Sequence, residues 1–241
     1  MKNKHLMFIT LLLMSLSLLA KEPDFGKFDG VAVILDVNSS ERTVFGTRAD
    51  ERLHPCSTFK ILNSMIALDT HVVKDENETI KWDGVVRSYQ VWNKDHTMRS
   101  AIAVSTVWFY QELARRIGVK RMQASVLKAK YGNENTSKNL TDFWLGEGSL
   151  KISPNEQVDF LLRLVRGDLP FSKRAMETTK DILTLEKHNN YRLAGKTGSC
   201  SATGWFVGFI EANTSKVFAF NIKGDGASGV KAKRIALDYF K

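Results

Sequence analysis

The chain has 241 residues, 43% of them hydrophobic and 25% charged, an ordinary globular balance. A chain of this length can bury most of its apolar surface and needs no metal to hold it together. The formal net charge is +9, but the basic residues are scattered (Lys120-Arg121, Lys128, Lys130, Arg163, Arg166, Lys173-Arg174) and are not interleaved with aromatics. That argues against a nucleic-acid partner and for a solvated basic surface whose weak field favours small anions.

Residues 1–20 differ in kind from the rest. Lys2, Lys4 and His5 precede an apolar-to-small run from Leu6 to Ala20, and no acid occurs before Glu22. This reads as a secretory leader cut after Ala20, although Leu18 is a poor fit three residues before the cut. The run is short for a membrane span and carries Thr10, Ser15 and Ser17. The expectation is export, with residues 21–241 as one domain and no membrane attachment after cleavage.

Val31 to Val37, a turn at Asn38-Ser39-Ser40 and Thr43 to Phe45 predict a first β-hairpin. Ser57 to Asp69 follows with helical spacing (Phe59, Ile61, Leu62, Met65, Ile66, Leu68), as do Trp108 to Ile117 and Val119 to Lys130. Ser153-Pro154-Asn155-Glu156 is a capping box with proline at the first helical position. It opens a helix with Val158, Leu161, Leu162 and Val165 on one face. Gly204 to Ala212 and Lys216 to Ile222 flank Asn213-Thr214-Ser215 as a second hairpin, and an amphipathic segment runs from Ser228 to Phe240. Strands at both ends with helices between predict an α+β unit: one antiparallel sheet built from both chain ends, flanked by helices, with an inserted helical part.

Two short motifs carry chemistry. Ser57-Thr58-Phe59-Lys60 stands at a helix start, where positions i and i+3 share a face, so the Lys60 amine can reach the Ser57 hydroxyl. A serine needs such a base to become a nucleophile. The same spacing recurs at Ser125 to Lys128, inside a helix, and at Ser228 to Lys231. Gly195-Lys196-Thr197-Gly198 reads as an edge-strand segment on which a Lys and a Thr hold a carboxylate while glycine allows close approach.

In this order, S-x-x-K and K-T-G resemble the penicillin-recognising serine enzymes. Ser105-Thr106-Val107, Tyr131-Gly132-Asn133, Phe143-Trp144-Leu145-Gly146, Tyr89-Gln90-Val91-Trp92-Asn93 and Gly204-Trp205-Phe206-Val207-Gly208 narrow the resemblance to the class D (oxacillinase-type) β-lactamases, over essentially the whole of residues 21–241.

That resemblance implies β-lactam hydrolysis in the periplasm through a Ser57 acyl-enzyme, by a monomer or homodimer. It implies no cofactor beyond carbon dioxide, which carboxylates Lys60 to a base within an apolar pocket of Phe59, Val107 and Leu145. The Trp144 indole N–H would face the carbamate. Ser105 would relay a proton to the leaving nitrogen, supported by Lys196. Thr197 would bind the substrate carboxylate, and the backbone N–H groups of Ser57 and Ser199, the latter just after Gly198, would form an oxyanion hole. The family's carboxylate-binding Arg is replaced here by Ala232, leaving Lys231, Lys233 or Arg234 as substitutes. In this architecture Cys56 and Cys200 face each other across the site, so a Cys56–Cys200 disulfide is expected in an exported protein. A β-lactam sensor domain and a penicillin-binding transpeptidase or carboxypeptidase share the motifs and are separated from the hydrolase by turnover.

Overall fold

Near-continuous apolar runs toward both ends of the chain build a single sheet that is buried on both faces. The computed structural model describes residues 21–241, and the leader expected over 1–20 lies outside them. β1 (Asp29–Asp36) pairs with β2 (Arg42–Phe45), as the first hairpin predicts. β5 (Thr203–Glu211) and β6 (Lys216–Lys223) form the second hairpin. β6 runs antiparallel to β1, with Val33 opposite Ala219, so the two chain ends meet in the middle of the sheet. The strand order is β2-β1-β6-β5-β4-β3, where β3 is Thr184–His188 and β4 is Tyr191–Cys200.

The inserted part is helical: α1 (Lys60–Asp69), α2 (Met98–Ala103), α3 (Val107–Ile117), α4 (Val119–Lys128), α5 (Pro154–Arg166) and α6 (Lys173–Ile182). α5 begins with the predicted box: the Ser153 side chain accepts from the Glu156 amide, and the Glu156 carboxylate accepts from the Ser153 amide. α7 (Gly229–Phe240) closes the chain, its first turn capped by Ser228. The helical layer covers the sheet face carrying Val31, Val33, Val207 and Phe209, while α7 covers Ala32, Ile34, Phe206 and Phe218. α2 is short and β3 is largely exposed, so neither carries a predictive periodicity, whereas α6 is amphipathic and buries Ala175, Met176, Thr179 and Ile182 on one face. β3 is exposed beyond Thr184, so no apolar alternation marks it.

β4 is not the edge strand that the sequence suggests, because β3 takes that place. β3 nevertheless pairs only as far as Thr184 opposite Ala194. Apart from one bond from the Gly195 amide to the Leu183 carbonyl, the half of β4 carrying Lys196, Thr197 and Gly198 keeps an open edge.

Candidate active site

The segment Cys56–Phe59 forms one 3₁₀ turn that runs into α1, with Pro55 before it. This turn and the first residue of α1 bring the Lys60 Nζ to 2.7 Å from the Ser57 Oγ, as the i, i+3 spacing requires. The turn is anchored from four sides. The Cys56 amide donates to the Trp144 carbonyl at 3.0 Å. The Thr58 hydroxyl donates to the Pro55 carbonyl at 2.8 Å and accepts from the Gln157 side-chain amide at 2.9 Å. Cys56 is joined to Cys200 at the end of β4 by a disulfide with a Cα separation of 5.9 Å. These ties hold Cys56 in the left-handed region, φ +51°, which a non-glycine residue adopts only when its surroundings impose it.

Lys60 is fully buried and enters no ion pair among the described residues. Burial, reinforced by the nearby Lys196 charge, drives its ammonium well below the usual lysine range and so favours the neutral amine. The Tyr110 ring lies 5.4 Å from the amine. Trp144 is fully buried and stacks on Phe59 at 5.3 Å, and its Nε1–H has no acceptor among the described residues. A buried indole donor without a partner is costly unless something anionic or polar is to meet it. Phe59 is buried, whereas Val107, the first residue of α3, and Leu145 are only partly so.

Ser105 sits between α2 and α3 with φ +60°. Its hydroxyl accepts from the Lys196 Nζ at 3.0 Å, a bond that joins the helical layer to β4. Lys196 is almost fully buried. Desolvation, then repulsion from Lys233, pushes its ammonium down to about 7. Strand alternation sends Lys196 toward the helices and Thr197 toward α7. Gly198 faces the nucleophile turn: a Cβ there would lie 2.9 Å from the Pro55 carbonyl and 3.3 Å from the Ser57 amide, so only glycine leaves that gap open. The Ser199 hydroxyl accepts from the Gly229 amide at 2.8 Å and so fixes the start of α7 against β4.

The three candidates for the missing Arg part company. Lys233 lines a small cavity of about 150 Å³ together with Lys196 and Thr197. Lys231 is turned away, donating to the Gly226 carbonyl at 2.7 Å and lying over Phe28. Arg234 is exposed and lines a different cavity, with Phe25 and Tyr239. Ala232 lies on the buried face of α7. Tyr131-Gly132-Asn133 is a brace: Asn133 makes side-chain bonds to Ser149 and Lys151, and Gly132 has φ +57°. Of the look-alike motifs, Ser125 lies inside α4 and Ser228 is spent as a cap. Tyr110 and Gln157 carry no local signal: the packing of α3 on α1 brings Tyr110 to Lys60, and α5 brings Gln157 to Thr58 of the turn.

An open strand edge, a serine at a helix start and a buried lysine define the penicillin-recognising class. The "Penicillin binding protein transpeptidase domain" family model matches residues 30–241. "Probable beta-lactamase YbxI" of Bacillus subtilis (strain 168) is 41% identical over 225 residues, 91% of this chain and 83% of that protein. The solved "Class D beta-lactamase BAT-2" matches with TM-score 0.85 and 42% identity, over 88% of this chain and 90% of that one. "Regulatory protein BlaR1" of Bacillus licheniformis is 35% identical over 223 residues, 88% of this chain but 37% of that protein. The chain belongs to the class D β-lactamase family.

Proposed function

We propose that the protein is exported to the periplasm and hydrolyses β-lactams through an acyl-enzyme on Ser57, with Lys60 carboxylated by carbon dioxide as the base. The observation that carries this reading is the pairing of a buried, neutral Lys60 amine 2.7 Å from the Ser57 hydroxyl with a buried, unpartnered Trp144 N–H. A neutral amine in an apolar pocket is a nucleophile toward carbon dioxide, and the orphan indole donor suits the anion that results. Trp144 and the Ser57 hydroxyl would hold that group. Once formed, the carbamate supplies a negatively charged proton acceptor beside the serine.

The chain's own residues do the rest. Ser57 attacks the lactam carbonyl, and its amide and that of Ser199 face the developing oxyanion across the gap that Gly198 leaves. The Ser105 hydroxyl passes a proton to the leaving nitrogen, and Lys196, 3.0 Å away, stabilises the charge on that path. Thr197 receives the substrate carboxylate. Lys233 is the cation placed to assist it, being the only one of the three candidates that shares a cavity with Lys196 and Thr197.

The decisive experiment is ring opening of a penicillin by the protein freed of residues 1–20, with and without added bicarbonate. Many turnovers per molecule, rising with bicarbonate, are expected. One stoichiometric acylation followed by a stable adduct would refute hydrolysis and favour the β-lactam sensor reading.

A further inference from the structure

The proton path above requires the Ser105 hydroxyl to stay on the Lys196 ammonium, yet Ser105 occupies a poor backbone conformation. With φ +60° it needs outside support. Short backbone bonds give some: the Ser105 amide to the Ile102 carbonyl at 3.3 Å and the Thr106 amide to the Ala101 carbonyl at 2.9 Å. The remaining support comes from side chains of the preceding loop, in a connected series.

The Trp92 Nε1–H donates to the Val104 carbonyl, the residue before Ser105, at 3.0 Å. Trp92 is itself held, since its carbonyl accepts from the Trp108 Nε1–H at 2.8 Å. The neighbouring Val91 carbonyl lies 3.0 Å from the His96 Nε2. A carbonyl can only accept, so Nε2 carries the proton and donates. The other ring nitrogen lies 2.9 Å from the Ser100 hydroxyl. Ser100 is the third residue of α2 and half of its capping box. His96 is 2% exposed, its ring lies 6.0 Å from that of Trp108, and burial pushes its pKa below the ordinary histidine range. The imidazole is therefore neutral, with one donor and one acceptor, and both are used.

We infer that His96 is a positioning residue for Ser105, acting through Val91, Trp92 and Val104. The inference rests on the role proposed above for Ser105. His96 touches no reacting atom. It fixes the turn Gln90–Trp92 against the start of α2, so that the Trp92 indole meets the Val104 carbonyl and Ser105 meets Lys196. Without the His96 donor the Val91 carbonyl loses its partner, the Trp92 indole is free to swing, and the Ser105 hydroxyl drifts from the leaving nitrogen. A misplacement of about 1 Å at a catalytic group can cost on the order of a hundredfold in rate.

The test is a double-mutant cycle on the single-turnover acylation rate with a penicillin. His96→Phe keeps a ring against Trp108 and removes the donor. It is expected to slow acylation by roughly ten- to a hundredfold. His96→Gln, which restores an N–H at comparable reach, should recover most of that loss. In a Ser105→Ala background, His96→Phe should change the rate by less than about twofold, because the positioned group is gone. Should His96→Phe not fold, Trp108→Phe removes the donor to the Trp92 carbonyl and carries the same comparison. Equal losses with and without Ser105 would overturn the inference alone. A Ser105→Ala variant that acylates at the parental rate would instead refute the role of Ser105, and the inference with it.

Discussion

Reducing the Cys56–Cys200 bridge should destabilise the protein far more than it impairs the chemistry. The bridge joins residues 144 apart in sequence. Closing a loop of that size removes chain entropy from the unfolded state worth about 5 kcal/mol, slightly above the figure for a 100-residue loop. For a domain of this size that corresponds to a fall in Tm of roughly 10–20 °C. The nucleophile turn keeps its other ties, from Cys56 to Trp144 and from Thr58 to Pro55 and Gln157, so Ser57 stays near Lys60. The assay is urea and thermal unfolding of the oxidised protein, of the protein reduced with dithiothreitol, and of a Cys56→Ala/Cys200→Ala variant. The reduced protein and the variant should melt together, well below the oxidised one, with a larger dependence on urea because their unfolded chains expose more surface. Initial rates at a temperature where all are folded should stay within severalfold. Overlapping melts would refute the entropic argument. Unchanged stability with lost activity would show that the bridge positions the nucleophile instead of constraining the unfolded chain.

Trp144→Phe keeps the stack on Phe59 and removes the unpartnered Nε1–H. It leaves a cavity and should cost on the order of 1–3 kcal/mol in stability, while penicillin acyl-enzyme accumulates and added bicarbonate no longer raises turnover. Lys196→Met removes a buried ammonium whose folded-state pKa, about 7, lies below its unfolded value. A depressed lysine binds fewer protons folded than unfolded, so it penalises the fold fully below pH 7, and the penalty fades as pH rises toward 10. The variant should therefore be inactive yet more stable than the parent, with a gap in Tm that is largest near pH 6 and narrows toward pH 10. Ala202→Gly relieves one of two consecutive left-handed residues, Ser201 and Ala202, in the two-residue turn between β4 and β5. This turn type prefers Asn-Gly, so the substitution should raise stability by about 1 kcal/mol in thermal melts at near-parental activity.

The chain itself determined whatever depends on neighbours in sequence. The i, i+3 spacing at Ser57 and Lys60, the capping box at Ser153 and the two hairpins follow from local geometry, and each stands where the periodicity puts it. The order of motifs along residues 21–241 was also enough to name the family. Only the tertiary structure decided the rest. That β3 stops opposite Ala194 and leaves Lys196 to Gly198 on an open edge depends on pairing between strands, for which β3 carries no apolar alternation. That Lys233, and not Lys231 or Arg234, shares the cavity of Lys196 depends on how α7 is rotated on the sheet. The neutrality of Lys60 and the solitude of the Trp144 indole are properties of burial, set by groups from α1, α3 and the 143–146 loop that meet only when the core closes. Desolvation acts through space, so local spacing alone does not place it; the family resemblance implied the Lys60 pocket and the Trp144 donor, and the packed core supplies the burial behind them.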